Sequence, residues 1–144
     1  PILPRVSPDG RFLAFTQADY GNFAIWHKEA DLCLIDLSNG QVKGLPEVNS
    51  TEAESYHAWS SNGRWLVFAS RRDDGLYSRP YIAYIDENGQ GHKPFVVPQH
   101  TPDFYQNSMV SFNVPEFIKE PVTLDRKLVV ETAKEGKAMK VTAP

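Results

Sequence analysis

The residues of this chain that most often act as metal ligands or nucleophiles are four histidines and one cysteine. His27, His57, His92 and His100 are scattered, and none forms the H-x-x-x-H or H-E-x-x-H spacing that brings two imidazoles to one helix face around zinc. Cys33 lies in the apolar stretch "DLCLIDL", which predicts a buried and unreactive thiol. We therefore predict no metal site, no cofactor and no catalytic residue.

Other sequence features exclude further classes of site. The stretch Asp73-Asp74-Gly75 lacks the alternating carboxylates of a calcium loop and follows two arginines, so local ion pairing is predicted instead. The chain contains no G-x-S-x-G nucleophile elbow and no glycine-rich phosphate loop. A net charge of -3 does not favour nucleic-acid binding. No apolar run approaches the roughly 18 residues of a membrane span, so no direct membrane insertion is predicted.

Two similar segments indicate the scaffold that positions the remaining polar and aromatic residues. "VSPDGRFLAFT" covers 6–16, "WSSNGRWLVFAS" covers 59–70, and the two align without a gap. In each, a serine at the second position leads into a tight turn, in which Pro8 suits the second turn position and Gly10 or Gly63 takes positive φ. An alternating strand with two apolar faces follows each turn. Each segment therefore predicts a hairpin in a sheet that is covered on both sides.

Further alternating or edge-like stretches complete each repeat to four short strands. In the first repeat, strands are predicted at 4–7, 11–16, 31–37 and 41–45. In the second repeat, they are predicted at 56–60, 64–70, 81–86 and 93–97. We therefore predict an all-β fold with two four-stranded antiparallel units, at about 2–46 and 54–98, and a C-terminal tail at 99–144.

A repeated four-stranded unit with two apolar faces is typical of a β-propeller blade, since such a unit buries its faces only against neighbours. The alternative is a pair of hairpins from a β-sandwich. Two blades do not close a ring, because propellers typically have about four to eight. We therefore expect the chain to be the C-terminal part of a longer protein. Further blades would come from the same full-length chain or from another chain.

A family resemblance rests on the same stretches. "SPDGRFLAFT" with "DLCLIDLSNG", and "WSSNGRWLVFASRRDDG" with "YIAYIDENG", resemble the TolB-type propeller repeat, the WD-like repeat of bacterial envelope proteins. The resemblance covers 4–98; the first unit lacks the tryptophan, and the second replaces Pro-Asp by Ser61-Asn62. It implies propeller blades, a periplasmic or cell-envelope location and a protein partner. It does not specify one function, because this repeat occurs in binding proteins, peptidases and lyases.

The tail is predicted to contain two short helices that pack on the blades. Thr101 is the candidate N-cap of a helix at about 102–109, and 112–121 is predicted to be extended. Thr123 and Gly136 are the candidate ends of a second helix. The apolar face of this helix would carry Leu124, Leu128, Val129 and Ala133. The final stretch "KAMKVTAP" is predicted as a last strand or a loose end.

Long loops are predicted to lie together at one end of the units, opposite the short turns. They cover 17–30, 46–56 and 71–80, and loops on a rigid scaffold often carry binding residues. The candidate binding residues, mostly aromatic or charged, are Tyr20, Trp26, His27, Glu54, Tyr56, His57, Arg71, Arg72, Asp73, Tyr77 and Arg79. Of these, His57 belongs to the innermost strand, near a central channel. The alternative is that the aromatic residues pack between blades and the charges pair locally.

These features favour a non-catalytic protein-binding or scaffold module over an enzyme. The alternative is the propeller part of an enzyme, either the gate of a prolyl-oligopeptidase-like peptidase or an oligogalacturonate-lyase-like propeller. The peptidase would need a catalytic domain with a nucleophile elbow. The lyase would need several metal ligands in its channel, where His57 is the only candidate. Glycan recognition and a purely structural spacer are further alternatives.

Overall fold

The computed structural model describes residues 1–121, 123 and 125–135. Most of its regular structure is two four-stranded antiparallel sheets, each with its strands in chain order. The first sheet consists of β1 (Ile2–Val6), β2 (Phe12–Gln17), β3 (Asp31–Asp36) and β4 (Val42–Gly44). The second consists of β5 (Glu54–Trp59), β6 (Trp65–Ser70), β7 (Arg79–Tyr84) and β8 (Phe95–Val96). The prediction of two four-stranded antiparallel units in a mainly β chain is confirmed.

The turn that opens each repeat is built from the same hydrogen bonds in both sheets. The Ser7 hydroxyl donates to Asp9 Oδ1 at 2.6 Å and accepts the Phe12 N–H at 3.0 Å. Ser60 donates to Asn62 Oδ1 at 2.7 Å and accepts the following strand's N–H at 3.0 Å. Aspartate and asparagine are interchangeable here because both offer the same acceptor oxygen. The repeated sequence motif therefore encodes one turn geometry.

The first strand of each sheet also carries a bulge that the sequence did not predict. Leu3 and Tyr56 adopt left-handed backbone conformations, with φ values of 55° and 52°. Both lie where the pairing of their strand with the next one shifts register. A non-glycine residue rarely adopts this conformation unless its surroundings enforce it. Its recurrence at equivalent positions makes the bulge a feature of the repeat rather than a local accident.

The main core lies between the two sheets. Its fully or nearly buried members are Phe12, Ala14, Leu32 and Leu34 from the first sheet and Leu66, Phe68, Tyr81 and Ala83 from the second. The sheets meet through non-equivalent faces. In the first sheet Phe12 and Ala14 face the core, whereas in the second sheet Leu66 and Phe68 do. By the alignment of the repeats, Leu66 and Phe68 correspond to the opposite face of β2.

A glycine in the second sheet's last turn allows the close approach of the two sheets. Gly89 has a φ of +72°, and a Cβ there would lie 2.7 Å from the Phe12 ring. Gly40 has nearly the same φ, +73°, but open space around its Cα. We expect Gly40→Ala to lower the free energy of unfolding by about 1 kcal/mol, the cost of left-handed alanine. Gly89→Ala should cost about 2–3 kcal/mol, because the Phe12 ring must also move.

Urea unfolding of both variants, followed by tryptophan fluorescence, measures this difference. The two substitutions impose the same backbone conformation, so only the contact with Phe12 distinguishes them. Equal losses of stability would show that the sheets separate slightly at no measurable cost.

The helices differ from their predicted bounds. A single 3₁₀ turn lies at Ala24–Trp26, and α1 (Phe104–Asn107) is one turn within the predicted 102–109. The N-cap of α1 is Asp103 and not Thr101, so that prediction was wrong. Thr101 contributes its carbonyl to this end of the helix, where it accepts the Phe104 N–H at 3.2 Å.

The second helix, α2 (Arg126–Glu135), begins later than predicted from Thr123. Asp125 accepts the Lys127 N–H at 2.9 Å and so satisfies a free donor of the first turn. None of the helix residues is buried. Three predictions for the tail lie outside the described residues: Leu124 on the helix face, Gly136 as the helix end, and a last strand or loose end at 137–144.

Candidate functional site

The long loops of the two repeats meet at one end of the sheets. The Glu54 N–H donates to the carbonyl of Ala30 at 2.8 Å, and the Arg71 N–H donates to the carbonyl of Ala53 at 3.1 Å. The short turns meet at the other end, where the Leu37 N–H donates to the Arg11 carbonyl at 2.9 Å. One end is therefore held by minimal turns, and the other carries the longer segments.

An exposed apolar patch lies on the long-loop end and is organised by one arginine. The Arg71 guanidinium lies 4.3 Å from the centroid of the Trp26 ring. It also donates to the carbonyls of Ile25 at 3.4 Å and Leu76 at 3.0 Å. Trp26 is 69% exposed, Leu76 65% and Phe23 66%. We call Phe23, Trp26, Arg71 and Leu76 the loop-face patch.

Tyr20 and His27 form a brace within the first long loop. Their rings meet edge to face with centroids 3.9 Å apart. His27 Nε2 lies 2.7 Å from the carbonyl oxygen of Asn22, and Nδ1 lies 3.4 Å from Glu29. The imidazole is buried, whereas Tyr20 is exposed. His27 therefore holds the loop, and Tyr20 is the member of this pair that a partner can contact.

Glu54 was predicted on a loop, and this was wrong. It is the first residue of β5 and is fully buried. Its carboxylate accepts from the hydroxyls of Ser50 at 2.7 Å and Ser70 at 2.6 Å, and from Arg72 at 3.1 Å. The Ser50 N–H donates to its other oxygen at 2.9 Å. This carboxylate holds the loop before β5 to the loop after β6.

Arg72 also lies inside the molecule rather than on the binding face. Its guanidinium lies 4.5 Å from the centroid of the Tyr81 ring and donates to the Val48 carbonyl at 2.6 Å. Only 17% of its side chain is exposed. The Tyr81 hydroxyl donates in turn to Asp73 at 2.5 Å. Burial, together with this bond to a carboxylate, raises the pKa of Tyr81 well above its ordinary value.

Arg79 is the second charged candidate that the loop prediction misplaced. It is the first residue of β7 and is buried. Its guanidinium donates to the carbonyls of Val110 at 2.8 Å, Tyr105 at 2.9 Å and Ser108 at 3.1 Å. Arg79 therefore attaches the tail to the second sheet. Tyr77, which is partly buried, lies with its ring centroid 5.1 Å from this guanidinium.

His57 lies in β5, within the strand predicted at 56–60, and Tyr56, which was predicted at the boundary between a loop and this strand, also lies in β5. His57 is buried, with Nδ1 3.5 Å from Thr16 Oγ1 and with no hydrogen-bond partner for Nε2 among the described residues. Burial lowers the pKa of His57 to about 4, and the carbonyls of Ala14 and Leu3 oppose this only in part. Tyr56 is partly buried and packs near the base of the first long loop.

The described residues contain no cluster of three or more histidine, cysteine or acidic side chains that would hold a metal ion. Cys33 is buried, and burial raises the pKa of its thiol. No helix in the described part of the chain has the length and apolarity needed to span a bilayer.

The candidates therefore divide into two groups. Tyr20, Trp26 and Arg71 lie at the long-loop surface, and Asp73, which is two residues after Arg71, is also exposed. Glu54, Arg72, Arg79, His57 and His27 are interior or nearly so, and with them belong Tyr56 and Tyr77, which are partly buried. Phe23 and Leu76 are the patch members absent from the predicted binding residues. Leu76 was missed because an aliphatic residue in a polar loop carries no signal of its own. The chain matches no protein-family model and no curated protein sequence.

Proposed function

We propose that the two sheets are consecutive blades of a β-propeller. The support is that they pack through non-equivalent faces, an arrangement that a further repeat can extend at either side. The other face of the first sheet carries Leu13, Phe15, Cys33 and Ile35, of which Phe15 and Cys33 are buried. The other face of the second carries Trp65, Val67, Ile82 and Tyr84, of which Val67 is buried. A two-sheet sandwich needs only one apolar face per sheet, so these second faces favour the propeller.

We propose that this propeller module is non-catalytic and binds a protein partner through the loop-face patch. The observation that carries the proposal is the exposed Trp26 ring stacked on Arg71. Tryptophan and arginine are the residue types that most often dominate interface energies. The hydrogen bonds of Arg71 to two loop carbonyls hold this pair in place before binding. Preorganisation of this kind lowers the entropy cost of association.

The location and the assembly follow from the resemblance to the TolB-type repeat. We propose a periplasmic or cell-envelope module whose remaining blades come from the same full-length chain or from another chain. Its partner would therefore be an envelope protein.

Affinity capture from an envelope extract, followed by titration of the purified partner, tests this function. We expect Trp26→Ala to weaken binding by about 30-fold, which corresponds to a hot-spot loss of about 2 kcal/mol. Arg71→Ala should weaken it by a similar factor, because it removes the support of Trp26. Leu37→Ala, which truncates an exposed residue at the short-turn end, is the matched control. Equal losses for Leu37→Ala and Trp26→Ala would contradict binding at the loop face.

A further inference from the structure

We propose that the chain has a second site, which binds a carboxylate carried on a small apolar group. The site is a cavity of about 220 Å³ between β1, β5 and the tail. It is lined by Leu3, Arg5, Tyr56, His57, Val114 and Glu116. It is separate from the loop-face patch and does not depend on the proposed function. We call it the His57 cavity.

The first observation is an unpartnered polar atom on the cavity wall. His57 is only 3% exposed, and its Nε2 makes no hydrogen bond of good geometry among the described residues, although the carbonyls of Ala14 and Leu3 lie near the ring. A buried polar atom without a partner costs about 1–3 kcal/mol, so such atoms are rare unless a ligand or water completes them. Leu3 and Val114 give the same space apolar walls. Such walls suit an organic ligand with one polar end.

The second observation is a cation at the rim of the same cavity. Arg5 Nη2 donates to Glu116 Oε1 at 3.2 Å, and both side chains are about half exposed. Exposed pairs of this kind contribute little to stability, so a ligand can replace one partner. The Trp59 indole N–H donates to the Arg5 carbonyl at 3.0 Å and fixes the backbone of the rim against β5. Glu116 therefore occupies the position that a ligand carboxylate would take.

The polarity of the site selects the ligand. Thr16 Oγ1 lies 3.5 Å from His57 Nδ1. When this hydroxyl donates to Nδ1, the neutral imidazole carries its proton on Nε2 and offers it to the cavity. Arg5 offers guanidinium donors from the rim, and these match carboxylate geometry. The donors of His57 and Arg5, which both line the cavity, favour an oxygen ligand, and the charge of Arg5 favours an anion over a cation.

The size of the cavity limits the rest of the ligand. A volume of about 220 Å³ is smaller than the range of about 300–1,000 Å³ typical of drug-sized ligands. Tyr56, Leu3 and Val114 provide the apolar contacts for a short branched chain. Two sources supply such a group: a small free carboxylic acid, and the C-terminal carboxylate of a peptide that ends in an aliphatic residue.

NMR titration of the ¹⁵N-labelled protein, which follows the His57 ring nitrogens and the amides of β1 and β5, tests the site. The probes are 3-methylbutanoate, its neutral isostere 3-methylbutanamide, and the peptide Ala-Ala-Val with a free or an amidated C-terminus. We expect saturable shifts with 3-methylbutanoate or with the free-acid peptide, and at least tenfold weaker binding of the neutral counterparts. Binding of the small acid identifies that source, and binding of the peptide alone identifies a chain terminus.

Three variants separate this site from non-specific charge attraction. Arg5→Gln and His57→Gln are each expected to weaken binding at least tenfold. Lys93→Gln removes a charge of the same sign from an exposed position outside the cavity and should change nothing. Glu116→Gln should strengthen binding several-fold because it removes the internal competitor. Arg5→Gln and Glu116→Gln change exposed side chains, so they test the site even if His57→Gln fails to fold.

The proposal is overturned by any of three results. No shift with any probe up to about 20 mM would exclude a site of even millimolar affinity. Equal affinity for the acid and the amide would exclude recognition of the charge. An unchanged affinity in Arg5→Gln, or a weaker one in Glu116→Gln, would exclude the assigned geometry.

Discussion

Glu54→Ala is expected to lower the free energy of unfolding at pH 7 by about 3–5 kcal/mol. Glu54 is fully buried, and its carboxylate accepts four hydrogen bonds from Ser50, Ser70 and Arg72. Its removal leaves the Arg72 guanidinium largely buried without its anionic partner. Breaking a buried pair from one side costs far more than the pair itself contributes, because the remaining charge stays desolvated.

Urea unfolding followed by tryptophan fluorescence measures this loss. Glu47→Ala is the matched control, because Glu47 is an exposed glutamate in the loop that precedes β5. A loss below about 1 kcal/mol for Glu54→Ala would place this pair among weak surface bridges. The double variant Glu54→Leu with Arg72→Met should be more stable than Glu54→Ala, since it leaves no unpaired charge.

The sheets could be predicted from sequence because their causes are local. The sequence pattern of β2 and β6 predicts strands with apolar side chains on both faces of the sheet. The structure confirms both strands. The motif of a serine, a turn and a glycine identifies the hairpins, because the serine hydroxyl forms its hydrogen bonds with residues no more than five positions away. Interactions of this kind are contained in the local pattern.

The interior charges could not be predicted, because their partners are distant in sequence. Arg72 meets Glu54 across 18 residues, and Arg79 reaches the carbonyl of Val110 across 31. A charged residue near a strand end is predicted to lie in a loop unless its interaction partner is known. The left-handed bulges at Leu3 and Tyr56 could not be predicted for a related reason. Neither residue type favours that conformation, and tertiary packing enforces it.

This division also explains which candidates remain on the surface. Most charged side chains beside the loops form buried hydrogen bonds that hold those loops to the sheets, as Glu54 and Arg79 illustrate. The binding surface is then left to residues whose side chains have no interior role, chiefly Trp26 and its neighbours. Arg71 belongs to both groups, because its guanidinium braces two loops and supports the exposed ring.

The stability of the chain is expected to fall as the pH drops from about 6.5 to 4, by up to roughly 3 kcal/mol from His57 alone. Burial lowers the pKa of His57 from 6.5 to about 4. In this window the unfolded chain binds a proton that the folded chain does not, so acidification favours unfolding. Above about 6.5 both states carry neutral His57, and below about 4 both are protonated, so the slope ends at both limits.

The charged groups around His57 and elsewhere set the background for this measurement. Arg5 and Glu116 line the same cavity, and the Arg5 charge adds to the lowering of the His57 pKa. Asp31 has a raised pKa and so opposes the trend at the acidic end. Four aspartates have pKa values below the ordinary 3.8, so they lose their contributions mainly at lower pH: Asp9, Asp36, Asp74 and Asp86.

Urea unfolding at intervals between pH 7.5 and 4 tests the assignment by comparing His57→Gln with the parent chain. The variant lacks the titrating group, so its stability should change much less across this window, whatever the substitution costs at pH 7. His100→Gln removes an exposed histidine and should keep the parental slope. If His57→Gln retains the full slope, then His57 does not stay neutral in the folded chain, and the donor assigned to the His57 cavity at neutral pH loses its basis.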